Sequence, residues 1–181
     1  MIILGLEAVF MRLFTVLLMS VIFSLVSWCA FAISLNKTDH LFFIERSKNR
    51  NLVQYDVRLT ENNDIPDSNP VAVYWVLENG RQQDLNTLER KYAYGIDSHE
   101  KLEKNRFRLL LIALKDREII VEKMEDSFKA IVAINGKPSI LDRVYVETKE
   151  RLAGLPKVLY IDLFGRAKET GLPINERIIP K

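Results

Sequence analysis

Beyond residue 40 the apolar and polar positions of the chain alternate, and the dominant period is two. Val53, Tyr55, Val57 and Leu59 fall on one side of a strand over 52–59, with Gln54, Asp56 and Arg58 on the other. A preceding run, Leu41 to Arg46, joins it through the polar turn Ser47 to Asn51 and predicts a hairpin. Thr60 to Pro70 reads as a polar loop. Val71 to Leu77 is apolar or aromatic on both sides, the mark of a central strand. After Asn79-Gly80, Asp84 is placed to cap a helix of about two turns ending at Lys91, with Leu85 and Leu88 inward. Tyr92 to Ile96 is expected to be extended, and Ser98 to Lys104 a charged loop.

The second half repeats the strand signal over 106–114, 118–123 and 127–134. Asn135-Gly136 is the strongest hairpin signal, because both residues accept the positive φ of a type I′ turn. Strands over 140–148 and 158–164 follow, then a loop over 165–172 and an extended edge over 173–180. Crossover helices are missing, so a long parallel sheet is not expected. The pattern predicts a mainly β fold: an antiparallel β-sandwich or partly closed β-barrel with one short helix.

The first 32 residues have a different character. Leu13 to Trp28 is broken only by Ser20, Ser24 and Ser27, Arg12 stands before it, and Ala30-Phe31-Ala32 follows. This is the layout of a secretory signal peptide cleaved after Ala32. Translation from Met11 would suit it better than Met1, since Glu7 is an acid where a base belongs. An uncleaved anchor is the alternative reading, because a spanning helix needs roughly 20 apolar residues. Lipid attachment at Cys29 is disfavoured by the bulky Trp28 before it. Residues 33–181 then make a single β-rich domain. The expected location is exported, periplasmic or secreted.

Composition narrows the chemistry. The one cysteine leaves with the signal, so no disulfide staples the domain. A net charge of +2 gives no reason to expect nucleic acid. Membrane contact is expected only through the N-terminal segment if it stays uncleaved. The two histidines, His40 and His99, stand in no ligand spacing, so neither a metal nor a cofactor is predicted. Asp97-Ser98-His99 holds the residue types of a triad, but a triad is assembled in space and not along the chain. Glu45, Asp56, Glu78 and Glu89 are candidate members of a carboxylate pair, which a glycosidase needs about 5–10 Å apart; no catalytic residue is assigned. Aromatic, basic and amide residues gather instead around two stretches: Arg46, Asn49, Asn51 and Tyr55 in the first hairpin, and Tyr74, Trp75, Glu89, Tyr92 and Tyr94 in the central stretch. Side chains with an apolar body and a polar tip suit a ligand site.

The blocks LFFIERSKNRNLVQYDVRL, PVAVYWVLENG, LNTLERKYAYGI, AIVAINGKPSILDRVYV and VLYIDLFG, in that order, resemble the bacterial family catalogued as domain of unknown function 4833. The likeness covers Leu41 to Pro180. It implies a single-domain protein, often with a signal peptide, and assigns no activity to any residue. Three functions stay open. The first is a non-enzymatic exported domain that binds a small molecule or an envelope component, an envelope protein included. The second is a hydrolase of envelope sugars or lipids using Glu45 and Glu89. The third is a scaffold that recruits its partner along the strand edge Pro173 to Pro180.

Overall fold

The computed structural model describes residues 37–149 and 156–180. The export segment expected over residues 1–32 lies outside them. Eleven strands make one sheet, curled into an open half-barrel. They are β1 (Lys37–Arg46), β2 (Asn49–Leu59), β3 (Val71–Val76), β4 (Gln82–Asp84), β5 (Ile96–Glu103), β6 (Arg106–Leu111), β7 (Leu114–Met124), β8 (Ser127–Ile134), β9 (Lys137–Lys149), β10 (Lys157–Ala167) and β11 (Pro173–Ile178). A single helical turn, α1 (Thr87–Glu89), runs into a π-helical turn, Arg90–Tyr94.

The hub is β9. One of its edges pairs with β10 in antiparallel register from Ser139 to Lys149. Its other edge is shared: β8 takes Lys137 to Ile140, and β1 takes Arg143 to Val146. Two arms leave that hub, β1-β2-β3-β4 on one side and β8-β7-β6-β5 on the other. The pairing of β1 with β9 is parallel; every other pair is antiparallel. A parallel contact needs a long connection, and here the whole β2–β8 segment supplies it.

The period-two pattern fills the concave side. Phe42 and Ile44 of β1, Val53, Tyr55 and Val57 of β2, and Val73 and Trp75 of β3 face Phe107, Leu109, Ile119, Val121, Phe128, Val132, Leu141, Val144 and Leu163 in one cluster. Fully burying a large apolar side chain contributes roughly 1.5–3 kcal/mol, so this cluster is the main source of stability. Register breaks insert Leu41 into β1 and Asp142 into β9. Such bulges increase local twist and help a sheet to curl.

Several elements differ from the sequence reading. β1 starts at Lys37, because the long β2 offers pairing partners to the polar residues 37–40. Ser98 to Glu103 is strand and not loop, with Lys104 left in the turn: β5 pairs with β6 but occupies the sheet edge, where only Ile96 and Leu102 are partly covered. A charged edge strand carries no alternation to read, and its charges discourage edge-to-edge association. The helix is capped by Asn86 and not Asp84, which belongs to β4. Leu88 is exposed, whereas Leu85 is buried. Tyr92 to Tyr94 is helical and not extended. The Asn135-Gly136 turn has the expected form, with φ of 49° and 74° and Ile134 paired to Lys137. At the β11 edge, Asn135 Nδ2 donates to the Asn175 carbonyl at 2.7 Å, and Arg117 pairs with Glu176. Part of the edge available for strand addition is therefore already occupied.

Candidate functional site

Five of the residues singled out in the sequence meet at one end of the concave side. Asn86 Oδ1 accepts from Glu89 N, and Glu89 Oε2 accepts from Asn86 N, each at 2.9 Å, closing a capping box. The same Glu89 oxygen accepts from Trp75 Nε1 at 3.1 Å, so the cap is tied to β3. The π-helical turn then carries Tyr94 edge-on to Trp75, with centroids 5.2 Å apart, and presents its carbonyl to Tyr55 Oη at 2.6 Å. The Arg46 guanidinium lies 4.6 Å over the Trp75 ring and 5.9 Å from the Tyr94 centroid. Gly95 ends the turn. A Cβ there would sit 1.9 Å from the Arg90 carbonyl oxygen, so only glycine fits without movement.

This cluster is packed. Tyr55 is fully buried and Trp75 nearly so. Burial pushes the Tyr55 and Tyr94 phenols above their usual range, with Arg46 opposing the shift at Tyr94. Arg46 Nε is buried without a hydrogen-bond acceptor; its partners are ring faces. The clefts around Thr38, Tyr74 and Phe43 are lined by other residues than Arg46, Trp75 and Tyr94. The remaining candidates lie elsewhere. Asn49 Oδ1 accepts from Asn51 N, and Asn51 Oδ1 from Glu78 N, so both amides brace the exposed first turn. Tyr92 is exposed beside Lys91. Tyr74 sits on the opposite, convex face of the sheet.

The candidate carboxylates do not converge. Glu45 binds Arg143 on the convex face at 2.8 Å. Glu89 serves the cap on the concave side, and Glu78 accepts from Arg50 N. Asp56 is different: it is 3% exposed although it faces outward. His40 Nδ1, Gln54 Nε2 and Tyr74 Oη reach it at 3.0, 2.9 and 2.5 Å. Burial alone would raise its pKa, but the bonds from His40, Tyr74 and Gln54 outweigh burial and hold it below the usual carboxylate value. Burial and the bond to Asp56 together push the Tyr74 phenol well up. A His–Asp pair is the orienting half of a general-base arrangement. Among the described residues no serine is hydrogen-bonded to it, and the carboxylate is saturated by fixed donors. Its evident effect is to lock Tyr74 and His40 in place.

That lock belongs to a larger alignment that the sequence did not reveal. Cross-strand register places one outward-facing residue of each of seven strands in a single line: Asn175, Phe164, Arg143, Phe43, Gln54, Tyr74 and Asp84. Neighbouring strands lie about 4.8 Å apart, so the rings of Phe164, Phe43 and Tyr74 recur every second strand, about 9.6 Å apart. All three are half-buried. Arg143 stacks 4.1 Å over Phe164, and His40 stacks beside Phe43 at 6.2 Å. A cleft opens at each end of the line. One, of about 380 Å³, is lined by Phe43, Arg143, Phe164, Ile174 and Asn175 among others. The other, of about 570 Å³, is lined by Arg58, Tyr74, Gln82, Gln83 and Asp84 with Thr38 and Ala72. The signal that could have found the line is the outward set of each strand (Phe43, Gln54, Tyr74, Arg143, Phe164), which is unusually aromatic for a solvent-facing side. The register that joins those sets is not written in any one strand.

The family described as domain of unknown function DUF4833 covers residues 42–177, and the chain belongs to it. No curated protein and no solved structure matches the chain.

Proposed function

We propose that this member of the DUF4833 family is an exported, non-enzymatic β domain that binds an envelope component on the convex face of its sheet. The observation that carries this reading is the line of Phe164, Phe43 and Tyr74, with Arg143 and Gln54 between them and a cleft at each end. A sheet face needed only for solubility is served by lysine, glutamate and threonine. Tyr74, half-buried and held by the saturated carboxylate of Asp56, is pre-ordered, and pre-ordering lowers the entropic cost of binding. The cluster at Arg46, Trp75 and Tyr94 supports the site from the other side of the sheet, because Trp75 follows Tyr74 on β3.

Export rests on residues 1–32 and is tested separately. The full chain, expressed with its own N-terminus, should be recovered outside the cytoplasm with Ile33 as its first residue by mass spectrometry; a chain retained with Met1 or Met11 intact overturns cleavage. Binding is tested by hydroxyl-radical footprinting of that protein with and without a cell-envelope extract. Reduced labelling of Phe43, Tyr74 and Phe164 is expected. Unchanged labelling of these three, or protection confined to Tyr92 and Leu88 on the helical turn, overturns the reading.

A further inference from the structure

We infer that the ligand of this face is an uncharged linear polysaccharide lying across the strands, with sugar rings stacked on Phe164, Phe43 and Tyr74; this rests on the binding reading above. Three observations point to that class. The first is periodicity. Three rings on every second strand match a ligand that is itself extended and repetitive, and the line from Phe164 to Tyr74, which follows the curl of the sheet, covers four strand steps, about 19 Å. A compact small molecule would use one cleft and leave the rest of the line unexplained.

The second is the chemistry between the rings. A pyranose has an apolar C–H face that suits an aromatic ring and a rim of hydroxyls that both donate and accept. Gln82, Gln83 and Asn175 offer amides of both polarities in the clefts, and Gln54, whose Nε2 is spent on Asp56 and Tyr74, offers its carbonyl oxygen on the line. The ring of Tyr74 is fixed by its bond to Asp56, so it offers a rigid platform.

The third is charge. Three of the four guanidiniums near the line have a carboxylate to balance them: Arg143 has Glu45, Arg166 has Asp142 and Arg90 has Asp84. Arg58 is the exception: it lines the cleft beside Tyr74, and its Nε is buried without an acceptor among the described residues. With one uncompensated guanidinium against three paired ones, the face has little field to gather a polyanion. A peptide is disfavoured for another reason. Extended peptides gain their main-chain hydrogen bonds at a sheet edge, whereas this line runs across strands whose backbone groups are already paired.

The test uses the exported protein and ladders of cello-oligosaccharides and N-acetylated chito-oligosaccharides of increasing length, read by isothermal titration and by the footprint. Affinity should rise with chain length and level off once the chain covers the line. Phe43→Ala and Phe164→Ala should each weaken it by roughly tenfold while circular dichroism stays unchanged. Phe43→Tyr keeps a ring and should retain binding. Affinity that is independent of length, or equal in Phe43→Ala and wild type, overturns the inference. So does binding only to heparin that vanishes at high salt, which marks a polyanion surface. If no neutral ladder binds but envelope extract still protects Phe43, Tyr74 and Phe164, the ligand class is wrong and the binding face stands. If neither occurs, both fall.

Discussion

The two sides of β3 carry neighbouring aromatic residues with opposite fates. Trp75 points into the half-barrel and is used up there: its ring lies under Arg46, its edge meets Tyr94, and its indole N–H is taken by Glu89. Tyr74 points outward and is held rather than consumed: its hydroxyl is fixed on Asp56 while it lines a cleft. Both sides combine aromatic rings with an arginine, a composition that suggests binding in either place. What separates them is whether the ring is still open once the chain has folded. Arg46 lies over a buried ring and stabilises a core; Arg143 lies over the half-exposed ring of Phe164, and the rings of Phe43 and Tyr74 beside it carry no arginine among the described residues.

Substitutions that divide stability from surface sharpen this contrast. The largest effect is expected for Trp75→Ala, which removes a nearly buried ring and should lower unfolding free energy by about 3–5 kcal/mol in a urea titration. A loss below about 1 kcal/mol would mean that the concave cluster is not packed and would reopen it as a ligand site. Gly95→Ala comes next. It forces a Cβ against the Arg90 carbonyl oxygen at 1.9 Å, and relief of that contact should cost roughly 1–3 kcal/mol. Tyr55→Phe leaves the buried Tyr94 carbonyl without its donor and should cost about 1–3 kcal/mol. An unchanged urea midpoint would show that this carbonyl finds another donor.

Asp56 gives a prediction in pH. Its folded pKa is lowered, so the stability it contributes is present above its unfolded pKa of about 3.9 and is lost as pH falls toward the folded value. Wild type should therefore lose stability on acidification below about pH 4 more steeply than Asp56→Asn. Parallel curves would show that Asp56 is not the group responsible. The smallest effect belongs to the convex rim. Asp142→Asn breaks an exposed pair with Arg166 and should change stability by no more than about 0.5 kcal/mol. A large loss there would mean that the convex side is core after all.

Much of this fold is legible along the chain. Alternation at Val53, Tyr55 and Val57 names the buried side of β2, and the same rule names Phe128, Ala130, Val132 and Ile134 in β8. Asn135-Gly136 marks its own turn. The concave cluster was also partly legible: Arg46, Tyr55, Trp75, Glu89 and Tyr94 stand out by residue type, and folding brings them together. The failures have physical causes. β5 is charged because it is an edge, so it shows no hydrophobic period. Asn86 and Asp84 are both good caps by type, and pairing of Asp84 with Tyr74 in β3 decides between them.

Alternation along the chain settles which side of each strand is buried, because the side-chain period along a strand is two and burial follows it. Only the tertiary structure decided which outward residues stand beside one another. Phe43 meets Arg143 because β1 docks in parallel on the free half of the β9 edge. Phe164 joins them because β10 pairs it with Arg143, just before the register break at Asp142. Alternation assigns a residue to a face but carries no address along it, and the register between distant strands is set by how the whole half-barrel packs.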